Sequence, residues 1–182
     1  MRRPLAAGVA ACLVLAAGCG SGSPSPAPEA PAPPEAPGSG YFVGTSPAGV
    51  GATVDLRGSD PASRAVETAL LRDAPRAGPA PSVGIASIVN GAERPVRAPT
   101  FTAELASGEL VPLSPARDAL GGRDDPAARR AERLLPVERM RLPAGASAVV
   151  YLVLEGEVPG AVAEVRMASG PEAPIALAPR PR

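Results

Sequence analysis

The sequence contains no histidine, tryptophan, lysine or glutamine, and only two cysteines, two phenylalanines and two tyrosines. Each absence removes some chemistry. Without histidine the chain cannot build the common Ser–His–Asp or Cys–His nucleophile systems. It also lacks the commonest zinc and copper ligand. A copper chaperone with a His/Met ligand set is therefore excluded, since only Met140 and Met167 lie in the second half. So few rings give neither a stacking platform for single-stranded nucleic acid nor the aromatic cleft in which a glycosidase carboxylate pair normally sits. Charge points the same way: 18 arginines balance 18 Asp plus Glu, with none of the basic excess of a nucleic-acid binder. Arginine as the sole cation, beside abundant Ala, Pro and Gly, reads as coding bias. It is the default cation here rather than a selected bidentate fork. No enzyme activity, no cofactor and no metal are expected.

The beginning of the chain is rich in signals. Arg2 and Arg3 precede the uncharged apolar run Leu5 to Ala17. Thirteen residues are too few for a spanning helix, which needs about 20, and suit the apolar region of a secretory signal. The segment closes as Leu15-Ala16-Ala17-Gly18-Cys19. It resembles a bacterial lipoprotein precursor, with Ala16 where Leu is usual. That resemblance implies cleavage between Gly18 and Cys19 and a diacylglyceryl group on the Cys19 thiol, whose two acyl chains suffice for stable anchoring. The protein would then sit on the outer face of the cytoplasmic membrane, or in the outer membrane of a diderm cell. The alternative is an ordinary cleaved signal, with Cys19 a free thiol.

Residues 20–40 favour the anchor. They read GSGSPSPAPEAPAPPEAPGSG, with seven Pro and nothing larger than Glu. Such a segment buries too little apolar surface to offset its ordering entropy. Pro-rich chain extends by about 3.1 Å per residue, so this spacer reaches roughly 60 Å. The expected organisation is a signal peptide over 1–18, a lipidated Cys and spacer over 19–40, and one domain over 41–182. With Cys12 removed and Cys19 acylated, that domain has no thiol to pair, and its stability rests on packing.

Within the domain, Asp60-Pro61 and Asp125-Pro126 read as N-caps followed by Pro at the first helical position. Apolar stripes follow, at Ala62, Ala65, Val66, Ala69 and Leu70, and at Ala127, Ala128, Ala131, Leu134 and Leu135. Helices are predicted near 61–72 and 126–135. The rest reads as short strands: 50–56, 82–89, 100–105, 109–113, 146–154, 162–168 and 174–178. Asn90-Gly91 signals a hairpin, and Pro112 marks an edge strand or a strand end. The two Asp-Pro starts lie 65 residues apart, as do the strands beginning near Ser82 and Ser147. Shared composition and shared capping chemistry account for this more simply than duplication does.

About seven strands at this spacing predict an immunoglobulin-like antiparallel β-sandwich with two inserted helices. Three segments, Val83–Asn90, Phe101–Gly108 and Leu142–Leu154, resemble the telokin-like immunoglobulin-fold domains of small secreted or anchored actinobacterial proteins. That resemblance spans about 90 residues and implies a fold rather than an activity.

Candidate chemistry is sparse. Asp118, Asp124 and Asp125 could collect oxygens for a hard cation, but no EF-hand series is present, and capping accounts for Asp125. Tyr151, inside an apolar strand, reads as core. Arg129, Arg130 and Arg133 share the polar face of the second helix, with Arg139 and Arg141 just beyond. They are candidates for contact with anionic headgroups or a wall polymer, although Glu132 and Glu138 interrupt them and a solvated face is the simpler account. The expected function is a lipid-anchored, non-catalytic binding or interaction module of the bacterial envelope, with a protein or cell-wall polymer as partner. The alternative is a structural or assembly accessory of an envelope complex.

Overall fold

The computed structural model describes residues 40–72, 80–155 and 161–180. Eight strands form one closed antiparallel barrel: β1 (Tyr41–Thr45), β2 (Val50–Asp55), β3 (Ser82–Asn90), β5 (Thr100–Leu105), β6 (Leu110–Pro115), β8 (Ser147–Leu154), β9 (Val162–Ala168) and β10 (Ile175–Pro179). Around the barrel the order is β1-β10-β9-β5-β6-β8-β3-β2. Two short strands, β4 (Val96–Arg97) and β7 (Arg141–Leu142), pair as a separate ribbon. The described residues also include three helices, α1 (Pro61–Leu71), α2 (Ala116–Leu120) and α3 (Pro126–Leu134).

The closed barrel corrects the expected sandwich. Alternation within a strand fixes which side chains are buried, and the same alternation serves a sandwich or a barrel. What decides is edge pairing. β1 meets β10 through Phe42–Pro179 and Val43–Ala178, and β6 meets β8 through Ser114–Val153 and Pro115–Leu152. These two short seams leave the barrel no open edge. Closure needs β1, which the sequence reading missed because it directly follows the Pro/Gly-rich stretch. Its Phe42 is 1% exposed in the core. The short α2 was missed as well.

The Asn90-Gly91 hairpin is also corrected. A type I′ turn needs positive φ at both central residues, and Gly91 is not among the glycines with positive φ. β3 instead runs on through Asn90, and the following loop leads to β4.

Inward-facing side chains form one contiguous apolar cluster that includes Phe42, Val54, Ile88, Phe101, Leu152, Met167 and Leu177. An eight-stranded barrel is just wide enough for side chains to fill it, so the interior is core. A second cluster lies outside. Val83 and Val153, partners in the β3–β8 ladder, carry Val66, Ala69 and Leu70 of α1, Ala116 and Leu120 of α2, and Ala128 and Ala131 of α3. Among the described residues both clusters draw on positions between Phe42 and Leu177. The 65-residue spacing has no counterpart in symmetry: α1 lies on β3, whereas α3 packs chiefly on α1.

The strand directions define two barrel ends. Gly40, the end of β2 and the start of β3 share one end, with Asp55 opposite both Tyr41 and Ile85. β3 finishes and β8 starts at the other, where the β4–β7 ribbon connects.

Candidate functional site

The helical arginines come first. Asp125 caps α3 by accepting from the amides of Ala127 (2.7 Å) and Ala128 (3.1 Å). The Ala128 amide, above all, holds its carboxyl below the ordinary aspartate value, with Arg72 and Arg123 adding to the effect against the opposing pull of desolvation. Asp124 pairs with Arg129 at 3.0 Å. Arg129 also donates to the Asp124 carbonyl (3.0 Å), and Arg133 donates to the carbonyl of Arg129 (3.1 Å). Arg130 instead lines a shallow groove between α1 and α3, with Arg64, Thr68 and Leu134. Arg129, Arg130 and Arg133 are all exposed on one short helix, but two of the three are engaged with their own helix or its cap. Cys19 and Gly18 lie outside the described residues.

Two of the three candidate cation ligands serve structural ends. Asp124 and Asp125 are occupied as above, and Asp118 sits in α2 near Glu138, whose carboxyl is raised above the ordinary value by burial and then by the charge of Asp118. No group of three or more Asp, Glu, Cys or His side chains gathers among the described residues.

Tyr151 occupies an outward position of β8 beneath α1 rather than the barrel core, packed against the helical cluster. Its hydroxyl donates to Asp60 Oδ1 at 3.3 Å. Asp60 also accepts from the Ala62 amide (2.7 Å), the Ser63 amide (3.1 Å) and the Ser63 hydroxyl (2.9 Å). Burial pushes its carboxyl up, but these four donors outweigh it and the net shift is downward. Burial, then the Asp60 charge, raises the Tyr151 phenol. The pair is a helix cap tied to a strand.

The outer barrel wall carries a charged group away from the helices. Arg166 on β9 bridges Glu104 on β5 and Glu164 on its own strand, and these two acids face each other in the ladder. The bond that Arg166 donates to Glu164, and then the charge of Glu104, raise its guanidinium further. A barrel that crosses a membrane carries a polar inside, whereas the interior of this one is apolar. No helix among the described residues is long and apolar enough to cross a membrane.

A second like-charge pair lies on the ribbon. Arg97 of β4 and Arg141 of β7 are register partners, and both are exposed. With Pro95 and Met140 they line a surface depression of about 480 Å³. No carboxylate pairs with either guanidinium among the described residues. The sequence reading named Arg139 and Arg141 but not Arg97, because neither strand of a two-residue ribbon has a period to detect.

Comparison with known proteins supplies no relative: no protein family, no curated protein and no solved structure matches the chain.

Proposed function

We propose that the chain is a lipid-anchored, non-catalytic binding module on the outer side of a bacterial membrane, tethered through Cys19. The anchor rests on the Leu15–Cys19 lipobox and the Pro-rich stretch after it. The binding role rests on one structural observation. The barrel interior is apolar core, so any partner must be met on the outside, where the ribbon end presents arginines without counter-ions among the described residues. That end is opposite the one where the chain arrives at Gly40. The histidine-free composition and the capping role of Asp60 and Tyr151 support a module without catalysis.

Fractionation of cells expressing wild type and Cys19→Ala tests the anchor. Wild type is expected with membranes and the variant in the soluble fraction; equal partition of both overturns it. Crosslinking on intact cells tests the binding role, which fails if no envelope component is captured reproducibly.

A further inference from the structure

We propose that the β4–β7 ribbon is a binding site for a phosphate ester, held between the guanidinium groups of Arg97 and Arg141. The proposal rests on the binding-module reading and gives that module a ligand class and a location.

The argument begins with a contrast inside the barrel domain. Like charges directly opposite on antiparallel strands destabilise the pairing. Among the described residues there are two such pairs, Glu104–Glu164 and Arg97–Arg141. The acidic pair is neutralised by Arg166, which bonds to both carboxylates. The basic pair has no such bridge among the described residues. Arg94 and Arg139, also exposed, flank it with no ion pair of their own. An anion from outside would complete the basic pair as Arg166 completes the acidic one.

The ribbon is held firmly despite that repulsion. Leu142, next to Arg141, is fully buried in the barrel core, and its partner Val96 packs against the same core. The Asn90 side chain donates to the carbonyls of Arg94, Leu142 and Pro143 at 2.9–3.0 Å. The backbone positions of the two arginines are therefore kept side by side by the core beneath them, so both side chains leave the same face of the ribbon.

The geometry favours phosphate over carboxylate. A carboxylate has two oxygens and is satisfied by one guanidinium fork; a phosphate group offers more oxygens and accepts forks from two arginines. Met140, 78% exposed, lines the same depression and supplies an apolar wall for the carbon side of an ester. Glu93, exposed in the loop before Arg94, and Glu138, just before Arg139, are the nearest acids in sequence, and neither pairs with Arg97 or Arg141. The ester has two chemical sources, a phospholipid headgroup or a phosphate ester that is not part of a bilayer.

The test uses the chain from residue 20 onward, which keeps both core clusters. Backbone amide shifts are followed during titration with glycerol 1-phosphate, inorganic phosphate and acetate. The proposal expects saturable shifts centred on Arg97 and Arg141, with the ester tightest and acetate weakest. Arg97→Glu and Arg141→Glu should each weaken ester binding about tenfold or more. Each should also leave the melting temperature unchanged or raise it, since each removes a like-charge contact. No saturable shift, equal binding by the variants, acetate at least as tight as the ester, or a fall in melting temperature overturns the proposal. Co-sedimentation with vesicles then identifies the source. Binding to phosphatidylglycerol-containing but not pure phosphatidylcholine vesicles, lost in both variants, supports a headgroup. Ester binding without sedimentation supports a ligand outside the bilayer. If phosphate binding fails while crosslinked partners persist, the site is wrong and the module reading stands.

Discussion

The side-chain amide of Asn90 donates to the carbonyl of Leu142 at 3.0 Å, joining the last residue of β3 to a residue 52 positions later. Asn90 is fully buried and is the only Asn in a chain without Gln. Its two N–H groups are shared with the carbonyls of Arg94 and Pro143, also within hydrogen-bond distance, and its Oδ1 accepts from the Ala92 amide at 3.0 Å. The backbone adds bonds to Ala146 (2.9 Å) and Gly145 (2.8 Å). One residue thus satisfies the polar groups of a loop, a ribbon strand and the turn before β8. Buried carbonyls must be satisfied in this way.

Asn90→Ala removes both the donors and the acceptor. Each buried polar group left without a partner costs about 1–3 kcal/mol, and water reaches some of those freed here, so a loss of about 2–4 kcal/mol is expected. Asn90→Asp keeps the shape but turns a donor toward carbonyls into an anion, and should be worse than Ala at neutral pH. Urea denaturation of the three proteins measures this. A loss below about 0.5 kcal/mol for Asn90→Ala would show that the amide does not hold the ribbon.

Such a knot explains which parts of the fold were legible in sequence. α1 and α3 begin at Asp60-Pro61 and Asp125-Pro126, because capping is a local interaction written in adjacent residues. The alternation of Val50, Ala52 and Val54 is equally local. Barrel closure is not: it depends on Phe42 meeting Pro179 and Ser114 meeting Val153, pairings that no short window contains. Asn90-Gly91 misled because its turn preference is local, whereas the side chain's partners lie up to 53 residues away. For the candidate sites, the α3 arginines were visible through helical spacing, although two of them are engaged at home. Arg97 became visible only when the ribbon set it opposite Arg141.

The Asp60–Tyr151 bond predicts an acid-sensitive helix attachment. Asp60→Ala removes the cap and is expected to cost about 0.5–2 kcal/mol; Tyr151→Phe should cost about 0.5–1.5 kcal/mol. The double variant should lose less than the sum, since both singles break one shared bond. The folded-state carboxyl is lower than the ordinary value. Its contribution is therefore complete above the unfolded aspartate value of about 3.9 and is lost as pH falls through the lower folded value. Stability measured from neutral to acid pH should fall less for Asp60→Ala than for wild type. Parallel curves would place the acid sensitivity elsewhere.

Glu138 has the opposite sign. Burial and the nearby Asp118 raise its carboxyl, with Arg117 only partly offsetting them. The folded state thus favours the protonated form. Its contribution is fully present below the unfolded value and is lost as pH rises through the folded one. At neutral pH the charge is a liability, and Glu138→Gln should raise stability by up to about 0.5 kcal/mol, the usual range for a part-exposed site. The amide carbonyl of Gln can still accept a backbone bond there. The gain should shrink as the pH is lowered toward the carboxylate range. A gain that is independent of pH would point to packing rather than charge.

Two glycines of adjacent strands should answer the same substitution with opposite signs. At Gly84 in β3 an added Cβ would lie 2.8 Å from the Asp55 carbonyl oxygen and 3.0 Å from Leu56 Cα. Both are backbone atoms of the neighbouring chain, so relief requires the ladder itself to move. Gly84→Ala is expected to cost about 1–3 kcal/mol, as overpacking of a fixed interior does. At Gly51 in β2 the nearest atoms are Thr45 Oγ1 at 3.6 Å and the Val89 carbonyl at 3.9 Å, which are ordinary contacts. Its backbone is outside the positive-φ region, so Ala adopts it without strain and the unfolded chain loses freedom. Gly51→Ala should therefore stabilise by about 0.4–1 kcal/mol. Thermal and urea unfolding of both variants decide the matter. If both substitutions shift stability in the same direction, the close approach of Gly84 to Asp55 and Leu56 is not what requires glycine there.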